Sequence, residues 1–519
     1  MPNVSEATPF AALVRREWAN LRSRRRMIAL TAVPVVTILL GLLLALGLGG
    51  RSVCSEGSVE VPCPTDPAGP DGEAVRDSFY FVHRPMGKNG SITVRMTSMN
   101  GIITYPPPDH DEIVPGLVPW AKAGVIIKDG TAQGSSYAAL MVTGAHGVRM
   151  QHDFTHDTAG RPGGVSAGAP RWLRLTRSGD TITGQESADG TRWTRVGVVR
   201  LAGLPETVRV GLFAASPGDL TLRPVAIGAG LPQVRFTQAT ATFDHISLDG
   251  VPLGEWSRGS VGEMGRTDWE KYHRAPGLVE SDGAFTVTGT GDMSPLGGES
   301  GRTVESNLLG LPISLLILIA VAARFLTAMP PHPATSATVP STGRTLAAKA
   351  VVIGAVGLLA GLVAAAVVVP AGAMMLRANG VNVVPAPALT QLRVVAGVAV
   401  LLAVAAVFAL ALRALLRRTW AAILVAIATL VLPYLVAVVP LLPDDVSRWL
   451  LRLTPAAGFA AEQTLREYPQ VVAHYAPSEG YFPLPWWAGL GVLCVYTAAV
   501  LALALRRRGG GTTSRARWR

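Results

Sequence analysis

The sequence predicts a protein of two parts, a six-span α-helical membrane domain and an all-β jelly-roll sandwich inserted between spans 1 and 2. Three observations predict it. Six apolar segments are each long enough to cross about 30 Å of hydrocarbon, which takes about 20 helical residues. Residues 51–305 contain no such segment. Within them, short runs of alternating apolar and polar residues are separated by turn residues, which is typical of strands.

The apolar segments occur once near the N-terminus and five times in the last third of the chain. They are Ile28–Gly50, Leu308–Met329, Ala350–Val369, Val394–Leu412, Trp420–Leu442 and Trp486–Leu505. The first is too long and leucine-rich for a signal peptide and lacks a small-residue cleavage signature, so we interpret it as retained. Asp, Glu, His and Lys are absent within these limits, which argues against a proton or sodium relay.

Arginine and lysine positions predict the orientation, because positive flanks resist translocation. The segments assigned to the inside hold 17 basic residues and only two acidic ones, Glu6 and Glu17. Both termini are therefore predicted to be cytoplasmic, and residues 51–305 extracellular. That outer region holds 23 basic and 28 acidic residues, although the whole chain carries +11. The net positive charge of the chain is thus located in the segments that flank the membrane spans, where it favours contact with anionic lipid. Nucleic acid is therefore not an expected partner.

The pattern divides the chain into seven parts. They are a cytoplasmic amphipathic surface helix (1–27), span 1 (28–50), an extracellular stalk (51–78), a β-sandwich (79–249), a strand-rich return segment (250–305), spans 2–6 (306–506) and a basic cytoplasmic tail (507–519). In the first part, Phe10, Leu13, Val14, Trp18 and Leu21 share one helical stripe. This pattern favours a helix lying on the membrane surface, and an ordinary cytosolic helix is the alternative.

A second amphipathic helix is predicted outside, between spans 5 and 6. Asp444 and Asp445 favour a helix start, and apolar residues follow at helical spacing until Pro455. We expect this helix to pack against the outer leaflet or to fold back into it.

Two cysteines, Cys54 and Cys63, lie just outside span 1, where an oxidising compartment would let them pair. We predict a disulfide, and two free thiols are the alternative.

The chain has no nucleotide site of its own. A phosphate-binding loop needs the pattern G-x-x-x-x-G-K-[ST], and no stretch of the sequence fits it. The protein is therefore not expected to be an enzyme or to hold a cofactor, and any ATP must be bound by a partner subunit.

Two stretches carry a family resemblance. They are FLTAMPPHPATSATVPSTGRTLAAKAVVIGAV at Phe325–Val356 and RWLLRLTPAAGFAA at Arg448–Ala461. With the N-terminal helix and the six spans, they resemble the permease subunits of bacterial ATP-binding-cassette transporters of the second exporter class. The resemblance covers residues 1–50 and 306–519. It implies a bacterial plasma-membrane protein that pairs with a second permease copy and with cytoplasmic ATPase subunits.

The resemblance also implies that force enters through the cytoplasmic link between spans 2 and 3. The residues expected to contact the ATPase are Arg15, Arg16, Thr338, Ser341 and Arg344. The link departs from the family pattern, because four prolines interrupt it and it lacks an acidic residue.

In the outer region, WAKAGVIIKDG, WLRLTRSGDTITGQESADGTRW, VRVGLFAAS and ATFDHISL follow one another in order. The order is similar to that of concanavalin-like jelly-roll domains, including laminin-G and glycan-binding modules, over Phe79–Asp249. Turns are predicted at Asp129-Gly130, Ser178-Gly179-Asp180 and Asp189-Gly190.

The sequence gives weak support for catalysis or metal binding in the outer region. The E-x-D-x-E arrangement of sugar-cleaving relatives is missing, so no glycosidase is expected. The cluster of Asp109, Asp111 and Glu112 predicts a solvated loop, with calcium as the alternative. His152 and His156 have a helical zinc spacing, but their surroundings predict strand and turn.

Three tryptophans, Trp120, Trp172 and Trp193, could line a glycan platform, although tryptophans at strand positions also serve as core residues. The leading hypothesis is a permease subunit of an ATP-driven transporter. The competing hypothesis is a membrane-anchored glycan-binding or sensing protein without transport activity.

Overall fold

The computed structural model describes residues 9–47, 53–56, 59–62, 66–105, 112–224, 230–262, 275–296, 302–326, 342–381, 383–439 and 441–509. Among these residues, helices form the first and the last part of the chain, and a large all-β region lies between them in the sequence. The helices are α1 (Phe10–Leu21), α2 (Arg24–Gly47), α3 (Leu311–Phe325), α4 (Thr342–Ala378), α5 (Ala388–Leu416), α6 (Thr419–Ala426), α7 (Leu432–Val438), α8 (Asp444–Leu453) and α9 (Trp486–Gly509). Two 3-10 helices matter below, Val304–Gly310 before α3 and Pro455–Glu462 after α8.

Six helical stretches are long and apolar enough to cross a membrane, which confirms that prediction. They are Arg24–Gly47, Val304–Phe325, Gly343–Ala378, Ala388–Leu416, Thr419–Val438 and Trp486–Arg507. The second and third stretches begin before the predicted spans, and the added residues include Glu305 and Lys349. Within the predicted limits, Asp, Glu, His and Lys are absent.

Small residues bring the backbones of α4 and α5 together. A Cβ atom added at Gly357 would lie 2.7 Å from the carbonyl oxygen of Leu402, and one at Gly361 would lie 2.8 Å from the Cα of Ala399. Such close approach is how spans pack where apolar side chains gain nothing by leaving lipid. The fifth stretch contains a π-helical turn, Ile427–Val431, just before Pro433, whose missing N–H interrupts regular helical hydrogen bonding.

The β region consists of antiparallel strands between α2 and α3. They are β1 (Val53–Glu56), β2 (Val59–Pro62), β3 (Val75–Asp77), β4 (Phe79–Met86), β5 (Asn89–Thr104), β6 (Ile113–Pro115), β7 (Lys122–Lys128), β8 (Tyr137–Thr143), β9 (Val148–His152), β10 (His156–Ala159), β11 (Arg171–Ser178), β12 (Thr181–Ser187), β13 (Thr194–Arg200), β14 (Val208–Ala215), β15 (Asp219–Pro224), β16 (Gly230–Asp249), β17 (Ser257–Val261), β18 (Gly277–Ser281), β19 (Ala284–Gly289) and β20 (Met293–Pro295). The predicted turns are confirmed, because Gly130, Gly179 and Gly190 adopt positive φ.

Two large sheets pack face to face around one apolar core. The seven-stranded sheet has the order β10-β9-β8-β7-β14-β4-β17. The nine-stranded sheet runs β13-β12-β11-β5-β16-β19-β18, with β15 beside β16 and β6 beside β5. The core includes Val125 and Ile127 from the first sheet and Leu173, Leu175 and Phe243 from the second. This sandwich extends past the predicted boundary at residue 249, because β17 joins one sheet and β18 and β19 join the other. The described strands β17–β19 of the return segment are thus built into the sandwich rather than appended to it.

A third layer covers the other face of the seven-stranded sheet. The pair β3–β20 contributes Val75 and Met293 to a second apolar cluster with Phe81 and Phe213. Two buried ion pairs cross this contact, Lys128 Nζ to Asp77 Oδ2 at 2.8 Å and Lys122 Nζ to Asp292 Oδ1 at 2.6 Å. The layer therefore holds both chain segments that connect the sandwich to the membrane helices.

Candidate functional site

The candidate site lies at the predicted cytoplasmic end of the helical region, where α1 packs on α4. The buried face of α1 consists of Leu13, Glu17, Asn20 and Leu21. These positions share one helical face but contain two polar residues, whereas Phe10 of the predicted apolar stripe is 41% exposed. The helix therefore packs against the protein with a mixed face, which requires a partner for the buried carboxylate.

Lys349 of α4 is that partner. Its Nζ lies 2.7 Å from Glu17 Oε2, and both residues are buried. The same carboxylate oxygen accepts a hydrogen bond from Asn20 Nδ2 at 3.1 Å. A buried pair of this kind fixes the register of the two helices, because neither charge can be left without the other.

The end of α3 meets the same pair. Lys349 Nζ lies 4.5 Å from the centre of the Phe325 ring and donates to the Phe325 carbonyl at 3.4 Å. The junction of α1, α3 and α4 thus holds both ends of the 326–342 link in one place.

The residues predicted to contact an ATPase lie partly at this junction. Arg15 and Arg16 are exposed on α1, and Arg344 is exposed near the start of α4. The Arg16 guanidinium also lies 3.8 Å from Glu17 Oε1, so it is part of the same charge cluster as Lys349. Thr338 and Ser341 lie outside the described residues. The structure thus places three of the five predicted residues on the solvent side of one junction.

The Glu17–Lys349 pair was missed by the sequence analysis, although two signals could have found it. Glu17 is one of only two acidic residues in the predominantly basic inner segments, and Lys349 is one of few lysines in an arginine-rich chain. Neither residue reveals its partner, since 332 positions separate them.

A second polar centre lies at the predicted extracellular end of the helical region. Helix α8 begins at Asp444 as predicted, and Val446, Trp449 and Leu453 on one face are 45%, 55% and 62% exposed. The Tyr496 hydroxyl donates to the Leu453 carbonyl at 2.7 Å. Tyr496 lies ten residues into α9, or about 15 Å along it. The end of α8 therefore lies beside α9, and the position of α8 relative to the outer leaflet stays a prediction.

The 3-10 helix after α8 ends at Glu462, which is 3% exposed. Two residues later, Thr464 donates from its N and Oγ1 to Glu305 Oε1 at 3.1 and 2.8 Å. The segment then contacts the β region, where the Tyr468 hydroxyl donates to Glu73 Oε2 at 3.1 Å. Burial and the Glu73 carboxylate raise the pKa of Tyr468 to about 12.

The three predicted platform tryptophans do not form one surface. Trp120 is 8% exposed and stacks on His146 at the seven-stranded sheet. Trp172 and Trp193 are half-buried on the outer face of the nine-stranded sheet, with the Arg174 guanidinium 3.8 Å from the centre of the Trp193 ring. Two of the three tryptophans are therefore partly exposed on one sheet face.

The predicted disulfide stays a prediction. Cys54 lies in β1, which pairs with β2, and Cys63 lies outside the described residues. Asp109 and Asp111 of the acidic cluster also lie outside them.

His152 and His156 are cross-strand partners in the β9–β10 hairpin, with ring centres 4.3 Å apart. The two rings are thus close because they face each other across the hairpin, and not because they are four residues apart on a helix. Across the described residues, no group of three or more His, Cys, Asp or Glu side chains could hold a metal ion.

Comparisons with known proteins give weak similarities. No protein-family model matches the chain, and no curated protein matches it significantly. Among solved structures, a functionally unknown protein from Saccharomyces cerevisiae is 17% identical over 39% of this chain and 93% of its own, with a TM-score of 0.22. Scytalido-glutamic peptidase with a transition state analog inhibitor is 9% identical over 43% of this chain and 100% of its own, with a TM-score of 0.27. Similarities this weak define neither the fold nor the function.

Proposed function

We propose that this chain is the permease subunit of an ATP-driven transporter in a bacterial plasma membrane. It works with a second permease copy and with a separate cytoplasmic ATPase, which binds the ATP. The junction of α1, α3 and α4 carries the proposal. A buried Glu17–Lys349 pair supports it because this pair would transmit a push on α1 or on the 326–342 link into two membrane helices.

The surface of that junction suits a protein partner. Arg15, Arg16 and Arg344 present positive charge around an element that the ion pair holds in place. Charged rims of this kind steer partners and set register. In this proposal the β region is a concanavalin-like jelly roll on the opposite side of the membrane, and lipid surrounds the spans.

Purification from native membranes in mild detergent tests the proposal. We expect a cassette ATPase to copurify in near-stoichiometric amount and to be lost from the triple variant Arg15→Glu, Arg16→Glu, Arg344→Glu. The variant Arg192→Glu is the control, since this arginine is exposed in the β region. A triple variant that keeps its ATPase, or cysteine labelling of Gly343→Cys from outside intact cells, would contradict the proposal.

A glycan-sensing role is the second candidate, because Trp172 and Trp193 are partly exposed on one sheet face. A cleft of about 750 Å³ lies near this sheet, lined in part by Arg161, Glu186 and Arg195. Binding of glycans by the full chain that is lost in Trp193→Ala, without a copurifying ATPase, would favour this role over transport.

A further inference from the structure

Two glutamates are buried in the outer part of the helical region. Glu305 lies in the 3-10 helix that leads into α3 and is 7% exposed, and Glu462 is 3% exposed. Glu305 follows β20 by ten residues, so it lies where the β region returns to the membrane helices. Glu462 ends the segment that folds back beside α9.

The two carboxyl groups are surrounded differently. Glu305 is held by Thr464, whose Oγ1 donates to its two carboxylate oxygens at 2.8 and 2.7 Å. Arg393 of α5 donates to the neighbouring Gln463 carbonyl. Glu462 Oε1, in contrast, is buried without a hydrogen-bond partner among the described residues. A buried ionised oxygen without a donor is unfavourable by several hydrogen-bond energies.

The charges around Glu462 do not balance if it is ionised. The groups that interact with it electrostatically are Glu305, which repels its negative charge, and Tyr434, whose ring stacks on Phe459. Arg393 interacts with Glu305 and supplies the one positive charge on α5 at this centre. Two carboxylates and one guanidinium leave a net charge of about −1 in a buried place, which low dielectric makes costly.

We propose that Glu462 and Glu305 form a buried cation-binding site, whose occupant at neutral pH is a proton on Glu462. The proton removes the excess charge and turns a carboxylate oxygen into a hydroxyl donor. Burial, together with the Glu305 carboxylate, raises the pKa of Glu462 well above its ordinary value, which agrees with this assignment. The site does not depend on an ATPase partner, so it extends the proposed function rather than resting on it.

Losing the proton would set two negative charges against each other at the point where the fold-back segment meets the start of α3. The site thus links the protonation state to the contact between that segment and the return from the β region.

Labelling with dicyclohexylcarbodiimide, an apolar reagent that modifies protonated carboxyl groups, tests the proposal on the full chain in detergent. Mass spectrometry should find Glu462 modified at neutral pH. Above its pKa the labelling should fall about tenfold per pH unit. In Glu305→Gln the fall should shift to lower pH, because the repelling charge is gone. Exposed Glu467 in the same stretch is the control and should stay unmodified.

Two outcomes would overturn the proposal. Labelling confined to acid pH would mean that Glu462 is ionised at neutral pH, and suppression by sodium at fixed pH would assign the site to a metal cation. If Glu462→Gln does not fold, the pH profile of the Glu305→Gln variant still decides, since a structural role for Glu305 would leave that profile in place.

Discussion

The β region and the helical region treat buried charge in different ways. Beneath the seven-stranded sheet, Lys128 and Asp77 are both fully buried, and each is paired with the other. In the helical region, Glu17 and Lys349 are also paired, but Glu462 has no such partner among the described residues. A balanced pair holds segments in register. A buried carboxylate without such a partner needs a proton or another cation to balance its charge.

The largest effect is expected from breaking the pair in the β region. Asp77→Leu leaves Lys128 buried without a counter-charge, which should lower the free energy of unfolding by about 3–5 kcal/mol. Denaturant unfolding followed by tryptophan fluorescence measures it. The double variant Asp77→Leu, Lys128→Met should recover most of the loss. If the single variant is as stable as the native protein, the pair does not hold the third layer.

The equivalent change in the helical region should have a smaller effect. Lys349→Met removes the positive charge that is paired with Glu17. The effect is reduced because Asn20 still donates to that carboxylate and because the site is partly open to solvent, the Lys349 side chain being 10% exposed. We expect a loss of about 1.5–3 kcal/mol, the range for hydrogen bonds to charged groups. Thermal unfolding in detergent measures the loss. ATPase copurification should also decrease, whereas in Lys128→Met it should not.

The tight contact between α4 and α5 contains no charged groups, and its disruption should have the next largest effect. Gly357→Leu places side-chain atoms where a Cβ already meets the Leu402 carbonyl, which should destabilise the α4–α5 contact by about 1–3 kcal/mol. Gly491→Leu in α9 is the matched control, because a Cβ there meets nothing within 4 Å. Thermal unfolding of both variants should separate them, and equal losses would contradict the tight α4–α5 contact.

The smallest effect concerns pH, and it has opposite signs in the two regions. Burial lowers the pKa of His83 in β4 to about 4, with Arg209 adding to the shift. The unfolded chain then binds more protons than the folded one between pH 6.5 and 4, so stability falls as the pH falls through this window. Glu462, with a raised pKa, binds its proton more tightly when folded, and its contribution is lost as the pH rises.

Thermal unfolding across pH separates these two responses. His83→Phe should remove the loss of stability that accompanies a fall in pH from 6.5 to about 4. Glu462→Gln should remove the loss that accompanies a rise in pH above 4.5, the ordinary pKa of a glutamate. If either variant keeps the pH response of the native protein, that group does not cause it.

How far the sequence predicts the structure depends on whether a feature is local. The six membrane-capable helices, the start of α8 at Asp444 and the turns at Gly130 and Gly190 are confirmed, because hydropathy, capping and turn chemistry act over a few residues. The predicted end of the sandwich at residue 249 was wrong. Local sequence shows that β17–β19 are strands, but it does not show that they pair with strands earlier in the chain.

The sequence by itself determined that this chain has an apolar six-helix part and a strand-rich part, because the length and the periodicity of apolar segments depend on neighbouring residues in the chain. The tertiary structure alone decided which charges meet. Glu17 finds Lys349, Asp77 finds Lys128, and Glu462 comes to face Glu305, because electrostatic contacts depend on distance in space and carry no mark in the order of the residues.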